Sequence, residues 1–94
     1  MEFKVREKDD FTLVEFQLSG PISPGELKDI VPPEVDPRKG VVISGRGPVW
    51  FYGYLVHHYH PTRWVATFDP RLGAVVVSSH TPDVRVGEVV EVED

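Results

Sequence analysis

Three short stretches hold residues with more chemical capacity than a packed core requires. The first is Ser44-Gly45-Arg46-Gly47-Pro48, an arginine set between two glycines. The second is His57-His58-Tyr59-His60-Pro61, with a fourth histidine at His80. The third is Asp69-Pro70-Arg71, a carboxylate two residues from a guanidinium. Arginine offers a planar fork that clamps a phosphate or stacks on a base. Imidazoles trade protons near neutral pH and bind borderline metals. A carboxylate accepts a proton or holds a metal, and an arginine beside it can stabilise charge growing on phosphorus. Each stretch also has a plainer reading. The first is a tight strand-to-helix turn, the second a polar cluster favoured by a helix C-terminal dipole, the third a turn with a surface ion pair. Residue types leave both readings open.

The elements that must position these groups follow from periodicity and punctuation. Residues 2–7 and 11–18 have strand composition with alternation around Phe11 and Leu13, and predict an antiparallel hairpin. Ser23-Pro24 with Glu26 makes a capping box opening a short helix over 24–30, which Pro32-Pro33 stops. Residues 32–40 form a stiff loop. Val41–Ile43 is a short, wholly apolar strand of the kind found at a sheet centre. A second helix runs from Pro48 to about Tyr59, with Gly47 as N-cap and apolar residues on nearly every face, and predicts burial on more than one side. Pro61 ends it. Residues 63–69 and 74–80 are strands joined by a tight turn at 70–73, and 84–94 form a final, more exposed strand. The order is β-β-α-β-α-β-β-β, an α/β (α+β) single domain over 1–94 with a mixed sheet and helices packed on it.

Strand 41–43, helix 48–59 and strand 64–68 form one β-α-β unit, so those two strands should be parallel. The turn at Ser44–Gly47 then leaves the carboxyl end of a central strand and enters a helix. Ligands of open α/β sheets favour this edge, and the helix start suits an anion. The same topology puts Asp69 and Arg71 on Arg46's edge and His60 and His80 on the other, with His57 and His60 on one helical face. A helix of about 12 residues at ~1.5 Å each separates the edges by roughly 18 Å. Groups from both edges can meet on one reacting phosphate only if different copies of the chain contribute them.

Bulk properties narrow the field. The 94 residues carry 10 Lys and Arg against 15 Asp and Glu, a net charge of −5 that disfavours coating duplex DNA or RNA. A local pocket for a small anion is still compatible with that balance. Cysteine is absent, which excludes disulfides, thiolate metal sites and cysteine nucleophiles. Asn is absent too, and with nine Pro this is a thermophile-like composition. The charged start and the lack of an apolar run near ~18 residues predict a soluble cytoplasmic protein without membrane segments.

The stretches 35–50, 57–60 and 69–80 together resemble the smallest family of type III CRISPR-associated ring nucleases, also described as manganese-dependent exonucleases that remove 3′ adenosines from RNA. The similarity runs along nearly the whole chain. It implies a distantly Rossmann-like fold and a phosphodiesterase that opens cyclic tetra-adenylate to linear di-adenylate, ending the antiviral signal. It implies dimers that stack head to tail into tetramers or larger assemblies, with the ring nucleotide between them. On that resemblance Ser44, Gly45, Arg46 and Gly47 match the ligand turn, and His60, Asp69 and Arg71 match the catalytic motif. Manganese would lie near His60 and Asp69, with His57 and His80 as further ligand candidates.

Overall fold

The computed structural model describes residues 1–93; Asp94, the last residue of the expected final strand, lies outside them. Six strands lie side by side in sequence order. β1 (Glu2–Glu7) is antiparallel to β2 (Phe11–Gln17). β2, β3 (Gly40–Ser44) and β4 (Trp64–Asp69) are mutually parallel neighbours. β5 (Gly73–Ser79) returns antiparallel to β4, and β6 (Val89–Val90) closes the sheet. The expected mixed α+β sheet is present, with its β-α-β unit carried by α1 (Val49–His58). A second parallel pair, β2 with β3, was not foreseen; residues 18–39 make that connection.

Alternation along the central strands feeds two cores, one per face. On one face Val14, Phe16, Val41, Ile43 and Val65 pack against Phe51, Leu55 and Tyr59 of the helix and its end. The spacing of those three places them on one helical ridge. On the other face Phe11, Leu13, Val42, Trp64, Ala66, Ala74 and Val76 pack together, and the C-terminal segment covers them with Val84, Val90 and Val92. The helix is therefore buried on one ridge with half-buried flanks, and Val49 is 84% exposed, which corrects the expectation of burial on more than one side.

Three boundaries differ from expectation, each for a local reason. Residues Pro24–Asp29 form a 3₁₀ helix, not an α-helix. The segment is six residues long, buries none of its side chains and is closed by the Ile30 amide donating to Leu27 O. Within it only Leu27 packs, half-buried, against the core, so a single tight turn suffices. Its capping pair does form, the Ser23 amide donating to Glu26 Oε2 at 2.6 Å, and these bonds hold the Glu26 carboxyl below its usual range. Pro48, not Gly47, is the N-cap of α1, and the helix stops at His58. The final strand shrinks to two residues because Gly87 takes a φ of 97° and breaks the ladder, while Val84 and Val92 turn onto the core.

Gly40 shows how tightly the second core is closed. A Cβ there would lie 2.0 Å from the Trp64 ring, which lies over the glycine. Gly40→Ala should cost about 1–3 kcal/mol through overpacking. In a domain of this size that lowers the midpoint of thermal unfolding by roughly 4–8 °C per kcal/mol. An unchanged melting temperature would contradict this packing.

Candidate functional site

The upper edge of the sheet is built by the carboxyl ends of the three parallel strands. Register pairs Glu15 with Ser44 and Ile43 with Thr67, so two residues further on Gly45 and Asp69 leave neighbouring strands at the same level. The Ser44–Gly47 turn and the Asp69–Arg71 turn are thereby brought to one edge, as the topology predicted.

The turn's shape comes mostly from packing. A Cβ on Gly45 would meet the Phe16 ring at 2.4 Å and the Phe16 carbonyl oxygen at 2.5 Å. Phe16 itself is wedged edge-on between Phe51 and Tyr52, with centroids 4.8 and 5.2 Å away. Gly45 is thus required by the residue beneath it, whatever binds above. Tyr52, half-buried in α1, donates its hydroxyl to Gly45 O at 2.5 Å. Burial raises the Tyr52 pKa, keeping the phenol a donor. Arg46 stands at the apex, exposed, and none of the ion pairs among the described residues involves it. An uncommitted guanidinium beside the start of a ten-residue helix is a competent anion contact.

Asp69 takes the form of its plainer reading, a turn with a surface ion pair. Its Oδ1 accepts the Arg71 amide at 2.7 Å and lies 3.8 Å from Arg71 Nε, while Leu72 N donates to Asp69 O at 3.2 Å. The carboxylate closes its own turn. The Arg71 side chain is 88% exposed, so its guanidinium is free to reach outward from that edge.

The lower edge holds the histidines. Chain reversal after α1 and the β4–β5 hairpin bring His60 and His80 together, their rings perpendicular with centroids 4.9 Å apart. His80 N donates to Arg63 O at 2.9 Å, and His80 Nε2 lies 3.0 Å from His60 O. A carbonyl only accepts, so that bond requires the proton on Nε2 and leaves Nδ1 of a neutral ring as an acceptor. Tyr59, buried next to His60, donates to Pro33 O at 2.7 Å and anchors the helix end; burial pushes its pKa up. His57 and His58 are exposed on the last helical turn. Because the helix ends at His58, His60 lies in the following turn and shares no helical face with His57; the His60 amide donates to His57 O at 3.3 Å.

His60 and Asp69 therefore occupy opposite edges of one chain, separated by a helix of about 15 Å at ~1.5 Å per residue. Among the described residues no group of three or more His, Asp or Glu is placed to share a metal ion. The set His57, His60, Asp69 and His80 is not assembled within one protomer, and two imidazoles, one bonded to a carbonyl, do not fit manganese alone. Two contributors were not singled out from sequence, Tyr52 and Tyr59. The available signal was a hydroxyl on an otherwise apolar helix, since buried tyrosines usually find a partner for it.

Comparison with known proteins gives the family of the chain. The family model of the CRISPR-associated protein (Cas_csx3) matches residues 15–91. A protein of Aquifex aeolicus (strain VF5), described as uncharacterized, is 52% identical over 90 residues, covering 90% of this chain and 81% of that one. The chain belongs to the CRISPR-associated Cas_csx3 family. No helix among the described residues is long and apolar enough to cross a membrane.

Proposed function

We propose that the protein is a ring nuclease that binds cyclic tetra-adenylate and cuts it to linear di-adenylate. The supporting observation is the separation of two chemistries onto opposite edges of one small sheet, in a chain of a CRISPR-associated family. Arg46, with Ser44, Gly45 and Gly47 shaping its turn, holds ring phosphates from one copy. His60 of another copy, stacked head to tail, reaches the scissile linkage.

In this reading the ribose 2′-OH attacks the adjacent phosphorus, the 5′ oxygen leaves, and His60 exchanges the protons of those two steps. Arg71, with Asp69 fixing its turn, neutralises charge on the phosphorane. His80 positions His60 through the bond to its carbonyl. Manganese, if used, needs donors from more than one copy, so no step is routed through it. An acidic protein suits a ring of few phosphates better than a polyanion, because a small number of symmetric arginines is enough.

The test is direct. Cyclic tetra-adenylate and an RNA ending in 3′ adenosines, at equal concentration with and without Mn²⁺, should give di-adenylate faster than shortened RNA. Faster removal of 3′ adenosines would favour the exonuclease activity instead. Intact ring at every condition would leave at most a binding module.

The turn supplies a further prediction. Tyr52→Phe removes only the bond to Gly45 O, worth about 0.5–1.5 kcal/mol, so ring affinity should fall by roughly two- to tenfold. Equal affinity in a titration would show that this hydroxyl does not hold the turn in its binding shape.

A further inference from the structure

The face of the sheet turned away from α1 carries a concavity of about 390 Å³ beside Arg46, within the ~300–1,000 Å³ typical of small-molecule sites. Pairing of β1 with β2 puts Lys4 opposite Glu15 and Glu2 opposite Gln17, on the face that Phe3 and Phe16 avoid. The charged residues Glu2, Lys4, Arg6, Glu15 and Arg46 line the hollow. Arg6 Nε is 3.3 Å from Glu15 Oε1. That oxygen is shut off from solvent and faces Arg6. The side chain keeps 35% of its surface exposed, and its other oxygen takes part in none of the hydrogen bonds or ion pairs among the described residues. The carboxylate is thus held on one side by the Arg6 charge and keeps Oε2 as an unengaged acceptor. Lys4, like Arg46, takes part in none of the ion pairs among the described residues.

Two uncommitted cations and a carboxylate with unused acceptor capacity, in one hollow, complement both ends of a nucleotide. Cations suit its phosphate, and a carboxylate accepts from the amino group on a base edge. We infer, resting on the ring-nucleotide reading above, that this hollow seats one adenylate unit of the ring. Lys4 and Arg46 take its phosphate, and Glu15 accepts from the adenine amino group. Glu15 is then a specificity-determining residue. Hypoxanthine presents a carbonyl where adenine has that amine, and a carbonyl facing a carboxylate is repelled.

The experiment competes unlabelled cyclic tetra-adenylate or cyclic tetra-inosinate against labelled cyclic tetra-adenylate, on full-length His60→Ala protein to suppress turnover. The two rings carry the same four phosphates. The adenylate ring should be preferred by about tenfold or more. Adding Glu15→Leu should bring the two affinities together while the adenylate ring still binds. Glu15→Gln, closer in shape, should narrow the preference without loss of fold, because an amide can donate as well as accept. Lys4→Ala should weaken both rings by the same factor. Full preference retained in both Glu15 variants overturns the assignment of Glu15. Unchanged affinities in Lys4→Ala overturn the seat itself. Failure of the adenylate ring to bind at all would instead overturn the ring-nucleotide reading, and this inference with it.

Discussion

Arg46→Ala should lose about ten- to a hundredfold in affinity for cyclic tetra-adenylate at each contact, with no change in melting temperature. The magnitude follows from losing a charge-assisted phosphate contact, about 1.5–3 kcal/mol. The unchanged stability follows from the position of the side chain: it is exposed, outside every ion pair among the described residues, and packs into neither core. Arg46→Lys should recover part of the loss, since lysine restores the charge without the bidentate fork. Titration of the labelled ring checks both variants. An alanine variant that binds as tightly as the natural protein would return the glycine-arginine turn to the status of a loop.

His60→Ala should behave in the opposite way, cutting turnover by about 10²–10⁴-fold, the usual contribution of a positioned proton-transfer group, while ring affinity stays within a few-fold. Single-turnover assays at saturating protein separate the two quantities. Turnover unchanged in this variant would remove His60 from the chemistry. Affinity lost together with turnover would instead place His60 in the binding surface. The pair of variants thus dissects one site into a gripping half and a cutting half.

The placement of these residues on opposite edges could be read from the sequence, because it depends on topology and not on side-chain detail. A wholly apolar triplet at Val41–Ile43, a proline-led apolar helix and a second strand at 64–68 force a parallel pair. A parallel pair fixes which turns share an edge. The two glycines around Arg46 were legible as a turn, but the need for Gly45 was not, since Phe16 is far away in sequence. Gly40 is the same case, its constraint imposed by the Trp64 ring. Glu15 lay hidden inside the alternating pattern of β2, where one charged residue reads as an ordinary outward position. Only its place in the hollow, against Arg6, marks it. The C-terminal valines misled for the opposite reason. Their alternation is strand-like, yet the gain from covering Phe11, Trp64 and Ala74 outweighs extending an edge ladder, and Gly87 permits the departure.

The helix ends illustrate how function and packing share residues. Tyr52 ties the Gly45 carbonyl to the first turns of α1, and Tyr59 ties the last to Pro33. Tyr59 belongs to the ridge that builds the core with Phe51 and Leu55, and Tyr52 to its half-buried flank. The same helix therefore sets the distance between the Arg46 turn and His60, and makes it too long for one chain to close on one phosphate.

Sharing of the site between copies is tested most directly by mixing. Arg46→Ala and His60→Ala proteins, each nearly inert toward cyclic tetra-adenylate at a ring concentration below saturation, should regain cleavage when combined, because an intact Arg46 rim from one variant can face an intact His60 from the other. Ring opening that stays at the sum of the two separate activities, at every mixing ratio, would mean that grip and cut come from the same chain, and the account would fail.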